Sequence, residues 1–182
     1  MAYERFATTD PAALATWRAR LGPYVLTVGG IEPRKGSLDL IEAYAPPRAV
    51  GLGIEPVVLG AVPESDLPSF VAATDAFAFP SLKEGFFLKE GFGLAAMEAL
   101  TAGVPLVVRD LPVLREVFGP AARFADTPEA LATAPAHALT SDDPVRAALG
   151  REPAARPTWT EVAARHLALY RSVTGGSHRR VG

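Results

Sequence analysis

Short apolar runs rich in valine, phenylalanine and leucine alternate along this chain with segments of helical period. Runs that are almost entirely apolar are typical of strands buried on both faces, and strands that alternate with helices build βαβ units. The pattern therefore predicts an α/β fold: a Rossmann-like parallel sheet with helices on both faces. The predicted strands are YVLTVG (24–29), EPVVLG (55–60), AFAFP (76–80), PLVV (105–108) and ARFA (122–125).

The segments between and after these strands predict the helices. In the helix that begins near Ser37, we expect Leu38, Ile41 and Tyr44 to form the buried stripe, and the proline pair at 46–47 to end the helix. The other predicted helices are Pro11 to Leu21, ESDLPSFVAATD (64–75), Leu94 to Ala102, Leu111 to Phe118, TPEALATAPAHAL (127–139), DDPVRAAL (142–149) and TWTEVAARHLALYRSV (158–173).

The composition narrows the class of protein. A chain of 182 residues with 49% hydrophobic content suits one globular domain, predicted over residues 1–174 with a flexible tail at 175–182. A net charge of -2 supplies no basic field for nucleic acid, so we expect no nucleic-acid partner. The chain has no cysteine, which excludes disulfides and thiolate metal sites and suits a reducing compartment. With a polar start and no apolar stretch of membrane-spanning length, we expect a cytoplasmic chain without an integral membrane segment.

Parallel sheets bind ligands outside the carboxyl ends of their strands, and two loops at those ends carry chemistry. The first is VGGIEPRKGS (28–37). Gly29 and Gly30 would let a ligand approach the backbone, and Arg34 and Lys35 precede a helix, which makes a plausible anion site. The alternative is that the glycines only turn the chain and that the two cations are solvated.

The second loop contains Glu90, Gly91, Phe92 and Gly93 before a helix that carries Glu98. The free amides at the start of this helix would receive a diphosphate, and Glu98 would accept hydrogen bonds from ribose hydroxyls. Glu90 precedes the helix and would reach the group beyond the phosphates. The alternative makes Glu98 a surface helix residue and the glycines a simple turn.

Together these segments resemble the donor-binding half of GT-B retaining glycosyltransferases of glycosyltransferase family 4, which corresponds to the C-terminal domain of such an enzyme. The resemblance runs from about Tyr24 to Tyr170 and rests on VGGIEPRKG, LGAVPESDLPSFVAATDAFAFPS, EGFGLAAMEALTAGVPLVV, DLPVLREVFG and WTEVAARHLALYR, in the family's order. It implies transfer of a sugar from a nucleotide diphosphate sugar, a UDP- or GDP-sugar, with retention at the anomeric carbon. No metal and no other cofactor is expected.

The resemblance also implies roles for single residues. Lys35 matches the lysine that contacts the donor diphosphate, with Arg34 as a helper. Glu90 and Glu98, with seven residues between them, match the paired glutamates that face the donor sugar and bind the ribose. The backbone amides that meet the phosphates belong to Gly91, Phe92, Gly93 and Leu94, and Val62 matches a position that flanks the nucleobase.

The chain departs from the family pattern in several places. Gly30 stands where many relatives carry an arginine. Only PPRAVGLGI (46–54) remains where the family has a further strand and helix, so we expect Val57–Leu59 to lie beside Tyr24–Val28. The N-terminal acceptor domain is missing, so the chain is expected to be inactive alone. The alternative function is a non-catalytic nucleotide-binding or interaction module of the same fold.

A hexapeptide stands in tandem before the second helix of the site: LKEGFF (82–87) is followed at once by LKEGFG (88–93). Only Glu90 keeps the family's spacing to Glu98, and only the second copy adjoins the helix. We therefore expect the second copy to form the binding site and the first copy to bulge out as a loop. In the competing register, the first copy stays at the strand end and Glu84 fills the site.

Overall fold

The protein is described by a computed structural model that covers residues 4–45, 62–82, 93–140 and 159–175. The described strands form one parallel sheet in the order β1-β2-β3-β4. This arrangement confirms the predicted Rossmann-like parallel α/β fold. The strands are β1 (Val25–Leu26), β2 (Ala76–Phe79), β3 (Leu106–Arg109) and β4 (Ala122–Ala125).

The described helices follow the predicted order, with ends displaced by a few residues at most places. Helix α1 begins where the Asp10 carboxylate accepts a hydrogen bond from the amide of Ala12 at 2.9 Å, which is a normal N-cap. The helices are α1 (Pro11–Leu21), α2 (Ser37–Tyr44), α3 (Leu67–Ala72), α4 (Leu94–Thr101), α5 (Pro112–Phe118), α6 (Pro128–Thr140) and α7 (Trp159–Gly175), with single 3₁₀ turns at Glu4–Ala7, Pro33–Lys35 and Gly119–Ala121.

Strand β1 is shorter than the predicted run from Tyr24 to Gly29. Tyr24 is held by the turn before β2: its amide donates to the Asp75 carboxylate at 2.8 Å, and its carbonyl accepts from the Asp75 amide at 3.0 Å. At the other end, the pairing with β2 stops before Thr27. Two residues, Val25 and Leu26, pair with β2.

The predicted buried face of α2 was wrong. Leu38 and Ile41 are 53% and 42% exposed, and of the three predicted residues Tyr44 alone is buried. The helix turns Leu40, Ala43 and Tyr44 inward instead, toward the sheet and α6. These three positions also have helical spacing, and they share a buried cluster with residues of α6.

The core is formed by the central strands, because every residue of β2 and β3 is buried. The sheet and helices α1 to α6 belong to one compact unit, residues 2–151, and α7 belongs to a second unit that comprises residue 1 and residues 152–182. The predicted domain boundary at residue 174 stays a prediction. In the described parts of the chain, no helix has the length and apolarity needed to cross a membrane.

Several predictions fall outside the described residues. These are the strand EPVVLG with its expected position beside Tyr24–Val28, residues 83–92 of the doubled hexapeptide, the helix DDPVRAAL and the tail after residue 175.

Candidate functional site

A crevice opens at the carboxyl ends of β1 and β2, where the sequence predicts the ligand. It is small and partly open to solvent, and the volume of about 250 Å³ around it includes open solvent. Its walls come from the loop after β1, the approach to α2 and the end of β2. The lining residues are Thr27, Val28, Gly29, Lys35, Ser37, Phe79, Pro80 and Ser81.

The loop after β1 brings Gly29 and Lys35 together. Gly29 has a φ of 147°, which strongly favours glycine, and a Cβ placed there would lie 3.9 Å from Cδ of Lys35. The carbonyl of Gly30 accepts a hydrogen bond from Oγ of Ser37 at 3.0 Å, which ties the loop to the first residue of α2. Two of the predicted residues, Gly29 and Lys35, therefore line the crevice.

The two adjacent cations lie in different surroundings. Nε of Arg34 is 2.6 Å from Oε2 of Glu32, and both side chains are about half exposed. Arg34 is absent from the crevice lining, whereas Lys35 is part of it. Glu32 was not singled out from the sequence, although its place two residues before Arg34 in IEPRKG was the available signal.

Gly36 is a residue that sequence reasoning missed. Its φ is 67°, and a Cβ at this position would lie 1.9 Å from the carbonyl oxygen of Pro80, so only glycine fits. The two segments are also joined by the amide of Leu82, which donates to the carbonyl of Arg34 at 2.9 Å. The signal was a glycine placed between the basic pair and the helix in RKGS.

The start of α4 adjoins the crevice through Phe79. Gly93 caps this helix with a φ of 63°, and a Cβ there would lie 3.5 Å from the Phe79 ring and 3.1 Å from the Phe118 ring. Leu94, the first residue of the helix, is half exposed. Phe79, which lines the crevice, therefore also lies near Gly93, the described end of the second predicted loop.

Glu98 is half-buried in α4 and is not a fully solvated residue. Burial raises the pKa of Glu98, and the positive charge of Arg5 opposes this change. Arg5 itself pairs with Glu64 at 2.7 Å, and its 3₁₀ turn (Glu4–Ala7) packs against α4 with Phe6 fully buried. The carboxylate thus lies in a partly desolvated place beside a cation, which the sequence alone did not indicate.

Arg109 is another residue that sequence reasoning missed. It is the last residue of β3, and its side chain is 5% exposed. The guanidinium donates to Oδ2 of Asp39 at 2.5 Å, to the carbonyl of Asp126 at 2.7 Å and to the carbonyl of Pro80 at 3.2 Å. It stands directly after the predicted strand PLVV (105–108) and was assigned no role, because a buried arginine cannot be recognised without its partners.

Of the other predicted residues that the structure describes, none lines the crevice: Gly30, Val62, Gly93, Leu94 and Glu98. Val62 packs against a cluster formed by Trp17, Phe70 and Ala73. Glu90, Gly91 and Phe92 lie outside the described residues. Among the residues that are described, no group of three or more histidine or carboxylate side chains is arranged to hold a metal ion.

A parallel α/β sheet with a crevice at the carboxyl ends of adjoining strands has the form of a Rossmann-like domain. The family is shown by sequence comparison, since the model of the family described as glycosyl transferases group 1 matches residues 48–153. The chain belongs to this glycosyltransferase family, and its fold is of the GT-B type.

Three curated relatives show how much of a longer protein the chain spans. It is 34% identical to O-antigen chain mannosyltransferase B of Escherichia coli, over 65% of this chain and 36% of that protein. It is 36% identical to D-inositol 3-phosphate glycosyltransferase of Corynebacterium kroppenstedtii, over 72% and 30%. It is 29% identical to the phosphatidyl-myo-inositol mannosyltransferase of Mycobacterium leprae, over 89% and 50%. The chain thus spans half or less of each relative.

Solved structures support the fold. A glycosyltransferase from Rickettsia africae matches with a TM-score of 0.70 at 15% identity, over 96% of this chain and 55% of that one. Anabaena HepE in complex with UDP matches with a TM-score of 0.66 at 18% identity, over 94% and 55%. At these identities the likeness concerns the fold alone.

Proposed function

We propose that the chain is the donor-binding domain of a retaining glycosyltransferase that uses a nucleotide diphosphate sugar. The observation that carries the proposal is the crevice itself, where Lys35, Gly29 and Ser37 meet the end of β2 beside the start of α4. A lysine and the free amides of a helix start are groups that bind diphosphates. The crevice lies at the strand ends where parallel sheets bind nucleotides.

In this proposal different residues bind the diphosphate, the ribose and the sugar of the donor. Lys35, Leu94 at the start of α4 and the three residues before it in the sequence, Gly91, Phe92 and Gly93, bind the diphosphate. Glu98 accepts hydrogen bonds from the ribose, and Glu90 faces the sugar. As the bond from the anomeric carbon to the diphosphate breaks, negative charge grows on the leaving phosphate, and fixed donors stabilise that charge most when they are already in place.

Arg34 has a smaller part than the sequence suggests. Its guanidinium is paired with the Glu32 carboxylate, which weakens its field at a phosphate, and Arg34 does not line the crevice, whereas Lys35 does. We therefore propose Lys35 as the main cation of the diphosphate site and Arg34 as an outer contributor. No metal or other cofactor is part of the proposed reaction.

The acceptor is proposed to bind on a separate domain that forms the other wall of the cleft. The relatives are longer than this chain, which spans 36% of the Escherichia coli protein and 50% of the Mycobacterium leprae protein. We therefore expect the chain to bind the donor by itself and to transfer sugar only when such a domain is supplied. A cytoplasmic location is proposed with this activity, since a chain without cysteine suits a reducing compartment.

Calorimetric titration tests the proposal. One relative is named a GDP-mannose-dependent mannosyltransferase and one solved neighbour holds UDP, so both diphosphates are titrated, each beside its nucleoside. We expect one diphosphate to bind, and to bind more tightly than its nucleoside. If neither diphosphate binds to the folded chain, the donor-binding function is wrong and an interaction module of the same fold replaces it.

A further inference from the structure

Arg109 places a positive charge inside the protein. A buried charge is costly unless it is paired and hydrogen-bonded, and here the cost is met by three partners from three different segments. The Asp39 carboxylate belongs to the first turn of α2, the Pro80 carbonyl follows β2, and the Asp126 carbonyl follows β4. A guanidinium has its N–H groups in a rigid planar fork, so it holds the three segments at set directions as well as distances.

Two of these segments are walls of the crevice. Pro80 lines it directly, and its carbonyl is the group that faces Gly36. Asp39 lies two residues after Ser37, which also lines the crevice and is bonded to Gly30. The Arg109 guanidinium therefore joins the β2 wall to the α2 wall, while its own charge is neutralised by Asp39.

We propose that Arg109 is a positioning residue for the nucleotide diphosphate site, a role that rests on the proposed donor-binding function. It holds Pro80 and the start of α2 in register, so that Lys35 and Ser37 face the ligand from one side and the end of β2 faces it from the other. Arg109 itself does not touch the ligand. A buried ion pair often adds little net stability compared with an apolar pair of the same volume, so a role in geometry accounts for its presence better than stability does.

The test compares two substitutions of this pair with a control on the same strand. Arg109→Lys keeps the charge but loses the planar fork, and Asp39→Asn keeps the shape but removes the partner charge. The control is Leu106→Val: Leu106 is 1% exposed and is the first residue of β3, at the opposite end of the strand from the crevice. Dissociation constants for the diphosphate that binds and for its nucleoside are measured at a temperature where all the proteins are folded.

We expect Arg109→Lys and Asp39→Asn to weaken diphosphate binding about tenfold or more, the loss typical of a misplaced charged hydrogen bond, while nucleoside binding changes much less. Leu106→Val should leave both constants nearly unchanged. Equal losses for diphosphate and nucleoside, or the same loss in the control, would show that Arg109 only stabilises the fold. If Arg109→Lys does not fold, Asp39→Asn carries the same comparison.

A second readout separates this inference from the proposed function. The amide of Leu82 donates to the carbonyl of Arg34 across the joined walls, so its hydrogen exchange reports their register without any ligand. Exchange at Leu82 should accelerate in Arg109→Lys and not in Leu106→Val. If the unchanged protein binds no nucleotide, the proposed donor function is wrong, but hydrogen exchange at Leu82 still tests whether Arg109 positions the two walls. Equal exchange at Leu82 in Arg109→Lys and Leu106→Val would overturn the positioning role.

Discussion

The carbonyl oxygen of Pro80 occupies the place where a side chain at Gly36 would begin. A Cβ at Gly36 would lie 1.9 Å from that oxygen, and the backbone there has a φ of 67°. The contact brings the turn that carries Arg34 and Lys35 against the end of β2, and so closes one corner of the crevice. Two segments far apart in the sequence are in this way locked together at the backbone.

Gly36→Ala should therefore destabilise the protein strongly. The left-handed backbone costs about 1–2 kcal/mol for any other residue, and the displaced carbonyl adds about 1–3 kcal/mol. The free energy of unfolding is measured in urea. Gly93→Ala is the comparison, because Gly93 also has a left-handed backbone, with a φ of 63° and a ψ of 47°, while its added Cβ would lie 3.1 Å from the Phe118 ring and not against a backbone oxygen. We expect the larger loss at Gly36, and an equal loss at the two positions would contradict the Pro80 contact as the cause.

Lys35→Ala should weaken nucleotide diphosphate binding by about 1.5–3 kcal/mol, the range for a hydrogen bond to a charged group, with little effect on the nucleoside. Arg34→Ala is the companion variant, and its loss should be smaller since that guanidinium pairs with Glu32 and does not line the crevice. Calorimetry measures both. An equal loss for diphosphate and nucleoside would remove Lys35 from the phosphate site, and a larger loss for Arg34→Ala would reverse the order of the two cations.

The doubled hexapeptide calls for a comparison of its two glutamates. We expect Glu90→Gln to impair binding or transfer of a nucleotide sugar and Glu84→Gln to have almost no effect. The reason is that Glu90, unlike Glu84, is separated from Glu98 by the family's seven residues. Transfer is measured after an acceptor domain from a relative has been supplied. The reverse ranking would place the first copy in the site, and silence from both variants would favour the non-catalytic alternative.

The contribution of Glu98 to the free energy of unfolding should fall as the pH rises. Its ordinary pKa is 4.5 and burial raises it, so between the two values the folded protein binds more protons than the unfolded chain, and ionisation costs stability that stays lost at neutral pH. Glu98→Gln should therefore be more stable than the unchanged protein at pH 7, with the difference vanishing below about pH 4. Urea unfolding across this range measures it, and a stability gain that is independent of pH would contradict the assignment.

The same variant tests the ribose contact. If the Glu98 carboxylate accepts hydrogen bonds from the ribose hydroxyls, the unchanged protein should bind the ribonucleotide more tightly than its dideoxy analogue, and Glu98→Gln should lose most of that preference. Together, a gain in stability and a loss of this preference in Glu98→Gln would show that the carboxylate serves binding at the expense of stability. An unchanged preference in Glu98→Gln would assign the ribose contact to another residue.

The strands and helices were largely predictable because their signals act over a few residues. Helix α1 has the predicted bounds, from the Asp10 cap and Pro11 to Leu21, and β4 is the predicted ARFA. Apolar runs, caps and prolines act on their immediate neighbours, so a single sequence carries them in full. The position of the crevice at the ends of β1 and β2 follows from the same signals, since parallel strands bring their carboxyl ends together.

The pairings that complete the crevice depended on contacts between distant residues. Arg109 and Asp39 are 70 positions apart, and in the sequence one ends a strand while the other is a polar residue on a helix. Leu38 and Ile41 had the right spacing to be buried, but a second stripe, Leu40 with Ala43 and Tyr44, faces the core because α6 packs there. The local pattern of the chain determined which segments are helices and strands and at which edge of the sheet the crevice lies. Only the tertiary structure decided which helix face is buried, which arginine is paired and where glycine alone fits, because burial, charge pairing and steric contact are properties of segments brought together by folding.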